Sequence, residues 1–245
     1  MGKWTILRQR IHEYWLYHYG YRLMPGRQRR FIETLQKRDT IRVSFVALNV
    51  SMWKYQGIYD LLKAAPRFDV SVVLSPGITY KQEQRLRDLR QMREYFGSRG
   101  MAYIDWDLEH DAPAFDIRRE LNPDIIFYMQ PYHGSYHDRH CLLHFTDRLI
   151  VYSPYSYLQA HVAFNYDNVM QNVAWKNYYV NRYHIDDARL LAHNNGVNAV
   201  AVGYTSADVY QQNQYQEVWK DEGHSRRRLI WAPHCTLAND GSVNS

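Results

Sequence analysis

Cysteine is scarce in this chain of 245 residues: only Cys141 and Cys235 occur, without C-x-x-C spacing. That excludes a disulfide framework and makes a reducing compartment the default. No apolar run approaches the ~18 residues that a membrane-spanning helix needs. The N-terminus has no apolar signal core, and Ile6 stands where a myristoylation site wants Ser or Thr. The expected location is therefore cytoplasmic. Glycine-rich phosphate loops are missing as well. Neither G-x-G-x-x-G nor G-x-x-x-x-G-K-[ST] occurs, so the residues present do not look like a half that grips a dinucleotide or triphosphate. No G-x-S-x-G elbow supports a Ser-His-Asp hydrolase. No helix-turn-helix, RNA-recognition or zinc-finger pattern supports a nucleic-acid partner. No cofactor is expected.

Acidic residues are sparse at one end. Residues 1–40 hold nine Lys/Arg against Glu13, Glu33 and Asp39, a local charge of +6 in a chain of net +5. Trp4, Tyr14, Trp15, Tyr17, Tyr19 and Tyr21 are interleaved with these charges. Basic residues with interfacial aromatics suit an anionic membrane surface, which makes such a surface an expected partner and the inner face of the cell membrane the expected place. A solvated helical hairpin broken at Pro25-Gly26 accounts for the same residues, so both readings stay open.

From residue 41 the chain alternates short runs of branched and aromatic residues with helix-like segments. The expected strands are 41–48, 70–74, 101–104, 124–128, 148–152 and 197–202. The expected helices are 55–65, 80–96, 114–121, 137–145 and 169–181. This order predicts an α/β fold with a Rossmann-like, mainly parallel sheet and helices on both faces. Pro123 excludes helical geometry at Asn122 and sets the boundary between helix and strand there. Residues 226–237, Arg-Arg-Arg-Leu-Ile-Trp-Ala-Pro-His-Cys-Thr-Leu, read as a strand at 229–231 running into a loop. The expected organisation is a basic aromatic helical segment (1–40), an α/β lobe (41–225) and the opening of a second lobe (226–245).

In such a sheet ligands sit beyond the carboxyl ends of the strands. The residues to interrogate are therefore 49–54, 75–79, 105–107, 130–133, 153–157, 203–205 and 233–236. Among these and their neighbours, five stretches carry a resemblance. They are Asn-Pro-Asp-Ile-Ile-Phe-Tyr-Met-Gln-Pro-Tyr (122–132), Tyr-Ser-Pro-Tyr-Ser-Tyr (152–157), Ala-Trp-Lys (174–176), Val-Gly-Tyr (202–204) and Trp-Ala-Pro-His (231–234). In this order they resemble the CDP-glycerol glycerophosphotransferase family, most nearly a branch linked to surface polysaccharides. The resemblance implies the two-lobed GT-B glycosyltransferase fold, with the acceptor side in the N-terminal lobe and the nucleotide-activated donor in the C-terminal lobe. It implies a CDP-activated donor, CDP-glycerol or a related group, and transfer to the hydroxyl of a glycan or lipid-linked acceptor. A sugar-nucleotide glycosyltransferase and a non-catalytic lobe that binds a lipid-linked acceptor or a partner protein are the competing readings. It also makes 226–245 the entry to a donor lobe, so that the chain alone is expected to be inactive. One departure stands out. Teichoic-acid polymerases carry a Trp-His-Gly-Thr-type motif where this chain has residues 152–157, so their usual base is not evident here.

Transfer from a nucleotide diphosphate needs a base near an acceptor hydroxyl and groups that hold the leaving phosphates. His234, after Pro233 at the lobe junction, is the candidate catalytic residue, as a phosphate contact or a proton carrier. An ordinary loop histidine is the competing reading. Gln130, Tyr132, Tyr155 and Tyr157 are the candidate acceptor-binding residues. The chain holds 22 tyrosines, so packing competes with recognition at each. Two other sets suggest a metal. His133, His137, His140 and His144 share a face if 137–145 is helical, but without an H-E-x-x-H they read as a polar helix face. Asp105-Trp106-Asp107 imitates the D-x-D metal clasp of the GT-A fold, a triplet common by chance. No metal is expected.

Overall fold

Ile41–Ala47 forms β1, and all of it except Arg42 is buried in the computed structural model, which describes residues 3–106, 108–110, 112–207 and 229–231. A strand with that burial must be covered on both faces, and its branched and aromatic residues suit the position. Parallel partners lie on either side. Phe68–Leu74 (β2) pairs along the whole of β1, and Ile125–Tyr128 (β4) pairs with Val43 through Val46. Tyr103–Ile104 (β3), Leu149–Tyr152 (β5), Lys176–Tyr179 (β6) and Ala199–Ala201 (β7) complete a seven-stranded, all-parallel sheet in the order β3-β2-β1-β4-β5-β6-β7. The expected α/β class is therefore present as a Rossmann-like fold. Strand order reverses between β1 and β4, which places the crevice of such a sheet at their carboxyl ends.

Helices Gln56–Ala64 (α3) and Gln82–Ser98 (α4) lie where the sequence predicts them. At 114–121 only a five-residue π-turn forms, Ile117–Leu121, ended by Asn122 in the left-handed region at φ 44° ahead of Pro123. The helix expected at 137–145 does not form. Short 3-10 turns replace it, because local groups claim the backbone: His137 accepts from the Arg139 N–H, and Tyr128 donates to the His140 carbonyl. The helix expected at 169–181 is also corrected. It stops at Val173 (α5, Val169–Val173), β6 follows, and an unforeseen helix, Arg182–Leu191 (α6), starts where the Asn181 side chain caps the Tyr183 and His184 N–H groups.

The N-terminal helices are Lys3–His18 (α1) and Met24–Gln36 (α2). The break between them lies at 19–23, not at Pro25-Gly26. Pro25 sits in the first turn of α2, where its missing N–H has no helical partner to lose. Gly20 turns the chain because a Cβ there would meet the Trp15 ring at 2.7 Å. Leu16, Met24 and Leu35 from these helices are buried in the main core, which is built around the Phe45–Phe127 stack at 4.4 Å.

The chain divides into a unit Met1–Asp208, which holds every regular element among the described residues, and a unit Val209–Ser245. Of the latter only 229–231 are described. They form no strand, and Leu229, Ile230 and Trp231 are 89%, 77% and 80% exposed, so the buried strand expected there is absent. A strand needs partners for its hydrogen bonds and cover for its apolar side chains, and among the described residues these three show neither. Among the described residues, no helix is long and apolar enough to cross a membrane.

Candidate functional site

The carboxyl edge of the sheet is closed at its centre and open on one side. After β1 the chain turns on Asn49, whose Oδ1 accepts from the Ser51 hydroxyl and the Met52 N–H. It then delivers Tyr55 into the switch-point crevice. The buried Tyr55 hydroxyl donates to the Tyr128 carbonyl at 2.7 Å and accepts from the Ser153 N–H at 2.9 Å, joining the β1–α3 loop to the ends of β4 and β5. Burial pushes the phenols of Tyr55, Tyr128 and Tyr152 well up, so these groups stay protonated and are not bases. The place where a Rossmann-like sheet normally takes its ligand is filled by the protein's own side chain.

Gln130, after β4, belongs to this closed part. It is buried, and its backbone N–H and carbonyl both bind the Tyr136 hydroxyl at 3.1 Å. Tyr132 lies where the edge opens. It is half-buried and stacks on Phe164 at 5.0 Å and 21°. Burial raises its phenol pKa, and proximity to Tyr155 raises it further. Tyr157 is 48% exposed, and its hydroxyl accepts from the Asn181 Nδ2 at 2.8 Å. The Tyr157 ring lies 5.3 Å from His184 and 6.4 Å from Tyr204. His184 itself is buried. Its Nε2 meets the Leu158 carbonyl at 2.9 Å, and since a carbonyl only accepts, the proton sits on Nε2. Nδ1 is left as a bare nitrogen with no partner among the described residues.

The sequence-predicted set is thus divided. Gln130 belongs to the closed centre, Tyr132 stacks on Phe164 and lies near Tyr155, and Tyr157 stands with Asn181, His184 and Tyr204. His234 lies outside the described residues. Phe164, Asn181 and His184 were not foreseen. Asn181 carried a usable signal as a helix N-cap, but the helix assigned across 169–181 hid it.

The histidine series is dispersed. His133 pairs with Glu13 at 3.2 Å, His144 pairs with Asp138 at 3.1 Å, and His137 caps a turn. His140 is fully buried between the Phe115 carbonyl at 2.7 Å and the Ser75 hydroxyl at 2.8 Å. Asp105 is bound by Arg93 at 2.5 Å, while Asp107 lies outside the described residues. No group of three or more His, Cys, Asp or Glu among the described residues is placed to hold a metal ion.

Stacked aromatic faces beside amide and hydroxyl groups, half-exposed at a sheet edge, match the alternating apolar and hydroxyl faces of a sugar ring or polyol. The chain matches no protein-family model, no curated protein and no solved structure.

Proposed function

We propose that this lobe binds a hydroxylated acceptor for transfer from a nucleotide-activated donor, as the sequence motifs suggest. The observation that carries the reading is the open aromatic edge: the Tyr132–Phe164 stack beside Tyr155, and Tyr157 held by Asn181. With CDP-glycerol as donor, an acceptor oxygen attacks the phosphorus that bears glycerol. A new P–O bond forms, the pyrophosphate P–O bond breaks, CMP leaves with the electron pair, and the acceptor proton passes to a base. His234 is assigned to that base or to a phosphate contact.

Replacing Tyr132 or Phe164 with Ala is expected to weaken acceptor binding about 10-fold, the size of a lost aromatic contact of ~1–1.5 kcal/mol. Calorimetric titration with oligo(glycerol phosphate) and with a neutral oligosaccharide checks this. Absence of saturable binding to both, or equal affinity in wild type and variants, removes the reading. In a preparation that releases CMP from CDP-glycerol, His234→Ala is expected to lower turnover about 10²-fold. Unchanged turnover in a folded variant makes His234 a structural loop residue. Acceptor binding by a wild-type protein that consumes neither CDP-glycerol nor nucleotide sugars identifies a binding lobe instead of an enzyme.

A further inference from the structure

Helix α1 is held to the body by one side, and the opposite side carries a large apolar stripe that is left exposed. At about 100° per residue, Gln9, Glu13, Leu16 and Tyr17 fall on one side of the helix. All four hold it to the body. Gln9 binds Asp138, Glu13 binds His133 at 3.2 Å, Tyr17 donates to Asp167 at 2.6 Å, and Leu16 is fully buried. On the opposite side Trp4, Leu7, Ile11, Tyr14 and Trp15 recur at three- and four-residue spacing across an arc of about 100°. Trp4 is 79% exposed, Ile11 60% and Tyr14 60%. Five large side chains in one unbroken stripe are more than the scattered surface apolar residues of an ordinary domain.

The flanks of this stripe decide what covers it. Arg8 follows one border of the arc and Arg10 the other, and both are exposed. The single carboxylate of α1, Glu13, is turned to the body and paired there, so no acidic side chain of the helix shares the exposed arc. Beyond the helix, Tyr19 and Leu23 are about half-exposed, and Arg22, Arg27, Arg29 and Arg30 add positive charge. Two tryptophans and a tyrosine between cationic borders are the composition of an interfacial helix, in which rings sit at headgroup depth and guanidinium groups lie among lipid phosphates.

We infer that the outer face of α1, lined by Trp4, Leu7, Ile11, Tyr14 and Trp15 and bordered by Arg8 and Arg10, is a docking surface for an anionic lipid membrane. The proposal is independent of the acceptor site. Deleting residues 1–40 is no test of it, because Leu16, Met24 and Leu35 belong to the core. Exposed substitutions leave that packing alone.

The full chain is to be sedimented with vesicles of phosphatidylcholine containing 30% phosphatidylglycerol, about the fraction that gives a strong negative surface, and with pure phosphatidylcholine. Binding to the anionic vesicles alone is expected, weakening as salt is raised from about 0.1 to 0.5 M because the surface field is screened. Trp4→Ser with Ile11→Ser is expected to lower the partition coefficient at least ~10-fold, and Arg8→Gln with Arg10→Gln to lower it on anionic vesicles about 10-fold. A Leu190→Ser control, on an exposed residue of α6, is expected to bind like wild type. Failure to bind anionic vesicles, or binding that survives the Trp4/Ile11 change, overturns the proposal. So does a lipid-free dimer that the same double change dissolves, because the stripe then covers a second copy.

Discussion

Asn198→Ala is expected to lower the stability of the Met1–Asp208 unit by about 3–5 kcal/mol, a large part of the ~5–15 kcal/mol that holds a typical domain together. The residue is 8% exposed, and its amide makes four bonds. Nδ2 donates to the carbonyls of Gln171 at 2.8 Å and Ala174 at 2.7 Å, while Oδ1 accepts from Asn177 at 3.2 Å and Asn194 at 3.0 Å. Each bond contributes about 1 kcal/mol net, and buried partners left without one cost more. The network has little slack, since the Asn177 Oδ1 already lacks a partner among the described residues. These bonds tie α5 to β6 and β7, the strands that carry Asn181 and Tyr204 at their far ends. Denaturant unfolding measures the loss. A loss under ~1 kcal/mol, or strict additivity with Asn177→Ala, would show that the network is not a cooperative unit.

Acidification from pH 7 to pH 4 is expected to cost the fold about 3 kcal/mol through His140. Burial holds its pKa down at about 4 against an ordinary 6.5, only partly offset by the Phe115 carbonyl. The carbonyl fixes the proton on Nε2, so Nδ1 accepts from the Ser75 hydroxyl. A second proton turns Nδ1 into a donor and forces Ser75 to reverse its role. Below pH 6.5 the unfolded chain takes up this proton and the folded one resists it. Stability therefore falls as pH drops from 6.5 to 4 and is fully restored above 6.5. Burial also lowers the pKa of His137, which adds in the same direction. At Asp167 burial pushes the carboxyl up, but hydrogen bonds from Tyr17, Asn172 and His193 outweigh it and hold it low, so its contribution is lost only at more acid pH. Unfolding free energies between pH 4 and pH 7 test this, with His140→Gln expected to flatten the profile. A wild-type profile already flat across that window would refute the assignment.

The periodicities that were legible are those that one residue's own chemistry enforces. Strands β1, β2, β4 and β5 read correctly because residues buried on both faces must be continuous runs of apolar side chains, and few other contexts tolerate such runs. Asn122 before Pro123 ended its turn outside right-handed helical geometry, as the proline's local sterics require. Lys176–Tyr179 did not read as a strand, because its residues alternate between half-buried and buried with no apolar run, and its neighbours β5 and β7 come from elsewhere in the chain, Asn177 bonding to Asn198 21 positions away. The segment 137–145 looked helical by spacing, but its turns are set by Tyr128 and by caps that no periodicity reveals.

The same division runs through the candidate site. Sequence order placed Tyr132, Tyr155 and Tyr157 at strand ends, since a parallel sheet delivers every such end to one edge. It did not show that Tyr55 closes the switch point, that Phe164 returns to stack on Tyr132, or that Asn181 holds Tyr157. Each of these rests on a contact between elements far apart in the chain. By itself the sequence determined the α/β class, the strand-end location of the edge and the basic aromatic character of α1. Tertiary structure alone decided which part of the edge stays open, and which side of α1 is left uncovered. Both outcomes depend on which elements pack against a surface, and that follows from packing in three dimensions, not from the spacing of residues along the chain.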